Sequence, residues 1–204
     1  MDNSISNVSF GTRIITTMQG RDGILKPAAR RFKQLTKNIP GELYIERELD
    51  SGKNSPISSF IFNGVTFVTK ELHNELSKPL NPKTKKKAVN ALAEKLKYTL
   101  DALVIESKHN EKADPILCQI SRINKLIERH TRSRKQEIEN KNLDMVKKYD
   151  VIINHLTAKL EKLKVNLKTI QDSTLKKLDR IKNKGIDLES YRDFLSGSFE
   201  LNLK

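Results

Sequence analysis

The feature that most constrains the fold is an apolar stripe in the C-terminal half of the chain. Its members follow one another at spacings of three and four residues, the repeat of one face of an α-helix. Such a face is stable only when it packs against other helices. The stripe therefore predicts a long amphipathic helix from Leu143 to Lys182, with Gly185 just beyond it as the C-cap. We call this stripe the seam; its members are Val146, Tyr149, Ile153, Leu156, Leu160, Leu163, Leu167 and Ile170.

Two further amphipathic helices are predicted before the seam. Asn81 and Pro82 are a typical helix start, and the apolar stripe that follows extends to about Glu106. The polar residues 107–112 predict a break, after which Asp114 and Pro115 begin the next helix. Residues 128–142 fit either a solvated continuation of that helix or a turn near Asn140–Asn142.

These helices could pack within one chain or across a parallel dimer. In a parallel dimer the seam register would place Lys159 near Lys164 of the second copy, a contact between like charges. The sequence therefore favours an elongated antiparallel helical hairpin or three-helix bundle within one chain.

Residues 10–78 predict a small α+β domain. A strand at 13–17 precedes a short helix that Pro27 opens, and a strand at 42–48 follows. Asn63-Gly64 separates two alternating runs, which predicts a hairpin with a type I′ turn. The strands are expected to be antiparallel, and a helix is predicted at 70–77. The aromatic core residues of the sheet would be Phe60, Phe62 and Phe67.

The predicted fold class is thus α+β and mostly α. A flexible N-terminus (1–9) precedes the small α+β domain with its antiparallel hairpin (10–78). The helical bundle or coiled-coil arm (79–185) and a short helix with a tail (186–204) complete the chain.

The chain is strongly basic, with 39 Lys and Arg against 25 Asp and Glu and a formal charge of +14. Residues 79–204 hold 28 of the basic and 17 of the acidic residues, so the excess lies on the helical part. Such a balance is compatible with nucleic acid, an anionic membrane surface or an acidic protein as partner. Composition bias explains it as well, because Lys, Asn and Ile are abundant together, as in proteins from AT-rich genomes.

Two basic clusters are candidates for binding an anion or nucleic acid. The first lies on the first turn of a predicted helix, where cations are unfavourable unless an anion is bound, although a solvated helix start is a simpler explanation. The second lies in a stretch so poor in aliphatic residues that a solvated helix explains it. Their members are Lys83, Lys85, Lys86, Lys87, Arg129, Arg132, Arg134 and Lys135.

No set of residues in the sequence defines a catalytic or metal site. The four His residues share no metal-ligand spacing. Cys118, the only cysteine, lies among Ile and Leu positions, which predicts a packed thiol and allows no internal disulfide. We expect no cofactor, no small-molecule ligand and no transmembrane segment, and we expect a cytoplasmic location because the N-terminus does not resemble a signal peptide.

The sequence therefore predicts a non-enzymatic interaction module whose long amphipathic helical arm binds a protein partner or self-associates. The alternative is a nucleic-acid-associated protein whose basic helical arm contacts phosphates without reading sequence. Few aromatic residues are present to stack on bases, since Phe, Tyr and Trp make up 5% of the chain.

Overall fold

A computed structural model describes residues 11–16, 22–47, 58–69 and 84–185. The fold is α+β and mostly α, as predicted: a small sheet precedes a pair of long helices. The predicted N-terminal segment 1–9, the helix at 70–77, the helix start at Asn81 and Pro82, and the tail 186–204 lie outside the described residues. The described elements are β1 (Thr12–Thr16), α1 (Asp22–Leu35), β2 (Gly41–Arg47), β3 (Ser58–Phe62), β4 (Val65–Thr69), α2 (Lys85–Glu139) and α3 (Leu143–Lys182).

The four strands form one sheet in the order β1-β2-β3-β4. The pairs β2–β3 and β3–β4 are antiparallel, whereas β1 runs parallel to β2, with Ile14 beside Leu43. The prediction of antiparallel strands is therefore wrong for β1. The reason is that α1 connects β1 to β2, and a helical crossover returns the chain so that it enters the sheet in the same direction.

The hairpin formed by β3 and β4 has the predicted register. Phe62 pairs with Val65 and Phe60 pairs with Phe67. Asn63 and Gly64 have φ values of 49° and 78°, the left-handed conformation that both central residues of a type I′ turn require. The prediction that Phe60, Phe62 and Phe67 are core residues is confirmed, because each is at most 3% exposed.

One glycine is required by the packing of this sheet. Gly41, the first residue of β2, has a φ of 135°, and a Cβ atom built on it would lie 2.6 Å from the Phe62 ring. Both the backbone conformation and the close approach of the ring exclude a side chain here.

Helix α1 begins five residues earlier than predicted. It starts at Asp22, so Pro27 is its sixth residue rather than its first. A proline at this position cannot donate the usual helical hydrogen bond. Ala28 and Phe32, which follow it on the helix, are fully buried, and this burial offsets the lost hydrogen bond.

Helix α2 is continuous from Lys85 to Glu139, so the predicted break at 107–112 is wrong. Its polar residues lower the hydrophobicity of the segment without interrupting the backbone, since Lys and Glu are good helix formers. Pro115 lies inside the helix rather than at a start. Ala113 precedes Pro115 in the sequence and Ile120 follows it, and both are buried in one apolar cluster that helps to hold the helix together.

Residues 128–142 contain both predicted alternatives, a continued helix and then a tight turn, which separates α2 from α3. The segment is helical to Glu139, and residues 140–142 form the turn, with Lys141 in the left-handed region at a φ of 58°. The side-chain oxygen of Asn142 accepts a hydrogen bond of 3.4 Å from the backbone N–H of Met145, so Asn142 caps α3. Helix α3 has the predicted bounds, and Gly185 follows it with a φ of 87°.

The contacts of the chain define two compact units. Unit 1 contains the described residues as far as Ser107 together with those from Lys177 onward, and unit 2 is Lys108–Lys176. Both long helices contribute to both units. No helix among the described residues is long and apolar enough to cross a membrane.

Unit 2 is an antiparallel helical hairpin. Arg134 of α2 pairs with Asp150 of α3, and His109 reaches Thr174, so residue numbers fall on one helix as they rise on the other. The core of the hairpin is small; it consists of Ala113, Ile120, Ile123, Leu160 and Leu167, with half-buried Ile116, Leu117, Ile127, Leu156 and Leu163 packed against it.

Candidate functional site

The eight seam residues lie on the side of α3 that is withdrawn from solvent. Leu160 and Leu167 are buried and the other six are half-buried. The rings of Tyr149 and His130 lie against each other, with centroids 5.8 Å apart. Because only one helix packs on this side within the described part of unit 2, most of the seam is covered incompletely.

The opposite side of α3 carries exposed apolar residues. Val151 and Val165 are 69% and 66% exposed, and the exposed Ala158 lies midway between them. Steps of seven residues are about two helical turns, so the three share one face. We call these three residues the α3 outer face. Ile152 beside them is 38% exposed.

The first predicted basic cluster lies in unit 1. Lys85, Lys86 and Lys87 are all exposed on the first turn of α2, and Lys83 lies outside the described residues. No acidic residue is present in that first turn. The three ammonium groups thus face solvent at the positive end of the helix.

The second predicted basic cluster does not form one surface. Arg129 and Arg132 point to solvent on the side of α2 away from α3, and Lys135 is exposed. Arg134 is half-buried, and its guanidinium donates two hydrogen bonds to Asp150. Arg134 therefore holds the hairpin together and is not available to a ligand in this arrangement.

A different set of basic residues forms a row along α2. Arg122, Lys125, Arg129 and Arg132 follow one another at spacings of three, four and three, and all are exposed. Their positions lie opposite the inward-facing Ile120, Ile123 and Ile127. We call the four basic residues the arginine stripe; it is about 15 Å long at 1.5 Å per residue.

Sequence reasoning missed Arg122 and Lys125 because it searched for dense clusters. The signal that could have found them is helical spacing of charge. A second signal is the distribution of arginine, which is absent between Arg47 and Arg122 and again between Arg134 and Arg180. In a chain where lysine predominates, four arginines fall within residues 122–134.

Two ionisable side chains of α2 are buried. His109 of unit 2 is 5% exposed, and its Nδ1 is 3.0 Å from the hydroxyl of Thr174. Burial lowers the pKa of His109, and the nearby Asp114 opposes that change. Glu106 of unit 1 is 1% exposed, and neither carboxyl oxygen has a hydrogen-bond partner in the described structure. Burial raises the pKa of Glu106 to about 7.

The remaining candidates for chemistry are dispersed. The prediction that Cys118 is packed is wrong: the residue is exposed, because it lies on the same outward side of α2 as Arg122, one turn earlier. His130 is half-buried and His155 is exposed, while His73 lies outside the described residues. Within the described ranges no group of three or more His, Cys, Asp or Glu side chains could hold a metal ion.

No model of a known protein family, no curated protein and no solved structure matches this chain. The candidate surfaces therefore rest on the geometry of the chain itself. They are the α3 outer face, which is apolar with basic surroundings, and the arginine stripe, which is basic throughout.

Proposed function

We propose that the protein is a non-enzymatic, cytoplasmic interaction module whose helical hairpin, unit 2, binds a protein partner. The observation that carries the proposal is the exposure of valines on α3: Val151 and Val165 are about two-thirds exposed on a helix whose other side already has its own apolar seam. A helix with apolar residues on two sides is suited to contact a second partner.

The charges around these valines favour an acidic partner. Four exposed lysines lie near these valines: two lie one turn before Val151, and one lies three residues to either side of Val165. They are Lys147, Lys148, Lys162 and Lys168. Three exposed acidic residues also lie on this side, fewer than the four lysines. They are Glu161, which Lys164 contacts at 2.9 Å, and Asp144 and Asp172. An acidic amphipathic helix would place its apolar side on the valines and its carboxylates near the lysines. A second copy of this chain would bring lysines toward lysines, so self-association is the less favoured alternative.

A model peptide tests this proposal directly. The probe is a labelled amphipathic helix with leucine on one side and glutamate on the other, titrated with the full chain. We expect binding that weakens at least about tenfold in the double variant Val151→Ser, Val165→Ser, because both apolar contacts are lost. The matched control is Leu143→Ser, which removes an equally exposed apolar side chain elsewhere on α3.

Two outcomes would contradict the proposal. Equal binding by the double variant and the wild type would show that charge alone attracts the peptide. Light scattering that gave a dimer in the wild type and a monomer in the double variant would assign the face to a second copy of the chain instead.

A second candidate function is association with nucleic acid. The observation that favours it is the arginine stripe, because arginine recognises phosphate with a planar fork of donors that lysine lacks. The α3 outer face and the arginine stripe lie on different helices, so variants of one surface leave the other intact. The two candidate functions can therefore be tested separately.

A further inference from the structure

The arginine stripe can be assigned a ligand more narrowly than its charge alone allows. We propose that Arg122, Lys125, Arg129 and Arg132 bind the phosphate backbone of a nucleic-acid duplex. The inference rests on the second candidate function above and names the residues, the form of nucleic acid and the kind of contact.

The position of the stripe leaves its cations accessible. All four side chains are exposed on the side of α2 that faces away from the hairpin core. Within the described part of the chain, Arg132 of the stripe pairs with Glu128, one turn away on α2, and both side chains are more than 60% exposed. Such an exposed pair contributes little energy, so phosphate can replace the carboxylate at small cost.

The distribution of arginine argues against composition bias as the cause of the stripe. Lysine outnumbers arginine in this chain, and α3 has no arginine from Leu143 to Asp179. Yet three of the four stripe residues are arginine. Arginine and lysine give the same charge and both suit an exposed helix, so bias toward lysine would give lysine here as well. The enrichment of arginine is explained by a ligand, such as phosphate, that accepts two hydrogen bonds from one guanidinium group.

The absence of aromatic residues identifies the contact as phosphate rather than base. Residues 118–136 contain no Phe, Tyr or Trp. Proteins that bind single strands depend on such rings to stack the bases. A straight row of cations on a rigid helix instead suits the regular phosphates of a duplex. Over about 15 Å, one strand of duplex DNA presents roughly four phosphates at about 3.4 Å each along the axis.

The main experiment is a fluorescence anisotropy titration with a labelled duplex of mixed sequence, about 20 base pairs long. The full chain is titrated at several salt concentrations between about 50 and 200 mM. Three to four phosphate contacts predict a slope of log K against log salt of about −3, and hence a loss of affinity of roughly 60-fold across this range. A single strand of the same sequence should bind more weakly.

Matched variants locate the site. The stripe variant, Arg122→Gln, Lys125→Gln, Arg129→Gln, removes three charges from the stripe. The α3 variant, Lys159→Gln, Lys176→Gln, Lys177→Gln, removes three charges from exposed positions on α3 that belong to neither candidate surface. We expect the stripe variant to lose at least about tenfold in affinity at 50 mM salt and to reduce the slope by about 3, whereas the α3 variant stays within about twofold of wild type. Far-UV circular dichroism confirms that both remain helical.

Cys118 provides an independent readout. It is the only cysteine, it is exposed, and it lies one turn before Arg122 on the same side of α2. Bound duplex should slow its reaction with a maleimide several-fold. The control chain is Cys118→Ser with Ser173→Cys, which moves the thiol to an exposed position on α3 and should show no protection.

The outcomes separate the inference from the function on which it rests. If the wild type binds no duplex even at 50 mM salt, the nucleic-acid function itself is contradicted. If both triple variants lose affinity equally, the protein binds nucleic acid through its overall charge and the stripe is not the site. If the single strand binds more tightly than the duplex, the assignment of the duplex is wrong.

Discussion

The buried carboxyl of Glu106 makes the stability of the fold depend on pH in a way that can be calculated. Glu106 occupies the next inward position after Leu100 and Leu103 on α2, where an apolar residue would continue the stripe. It is 1% exposed and has no hydrogen-bond partner in the described structure, and burial raises its pKa from 4.5 to about 7. An ionised carboxylate here is unfavourable because nothing replaces its hydration.

Proton linkage determines whether the free energy of unfolding rises or falls with pH. Between about pH 4.5 and pH 7 the folded state holds a proton on Glu106 that the unfolded state has released, so the free energy of unfolding falls as pH rises. The favourable contribution of the neutral acid is complete below the unfolded pKa and is lost as pH rises through the folded one. Raising the pKa from 4.5 to about 7 corresponds to about 3 kcal/mol of stability lost between low and high pH.

The test compares the wild type with Glu106→Gln by urea denaturation at pH values from 5 to 8. Glutamine is neutral throughout, so the free energy of unfolding of the variant relative to wild type should increase by about 2–3 kcal/mol from pH 5 to pH 8. Glu106→Leu should be more stable than wild type at pH 8 by at least a similar amount. Exposed Glu94→Gln on the same helix is the control for removal of a carboxylate. A difference between wild type and Glu106→Gln that stayed constant across this range would refute the reasoning.

Three further predictions concern stability. Gly41→Ala should lower the free energy of unfolding by about 1–3 kcal/mol, since it combines an unfavourable φ with a clash against Phe62; an unchanged urea midpoint would contradict this. Leu160→Ala, at a buried position, should lower the free energy of unfolding by about 2–5 kcal/mol, whereas Val165→Ala, at an exposed position, should lower it by less than about 0.5 kcal/mol. Thermal denaturation of both variants measures the difference. Replacing lysines 85–87 with Gln should raise the melting temperature slightly at low salt, because each cation opposes the helix dipole by about 0.3–1 kcal/mol; a lower melting temperature would indicate a stabilising role.

The elements that sequence reasoning predicted well are those determined by neighbouring residues. The Asn63-Gly64 turn fixes its hairpin within a few residues, and the seam with its end at Gly185 fixes α3. Both follow from local conformational preference and from the spacing of apolar side chains. The parallel pairing of β1 with β2 depends on a crossover through α1, and no local pattern reports the direction in which a distant strand enters a sheet.

The errors on α2 have a common cause. A polar stretch at 107–112 followed by a proline reads as a break, yet the helix continues because the neighbouring helix supplies a partner for His109 in Thr174 and an apolar surface for Ile116. Sequence alone does not show which polar residues will find such partners. Cys118 was predicted to be packed because its sequence neighbours are Ile and Leu, but the orientation of the helix, which the sequence does not show, turns it to solvent.

The three-residue turn at 140–142 has a consequence for how fast the hairpin can form. The Arg134–Asp150 pair is separated by 16 residues and the His109–Thr174 pair by 65. Once the pair near the turn has formed, each later pair brings together residues that the earlier contacts already hold close. The large sequence separation therefore costs little additional chain entropy. We therefore expect the hairpin to form first at the turn and then to extend toward the ends of α2 and α3.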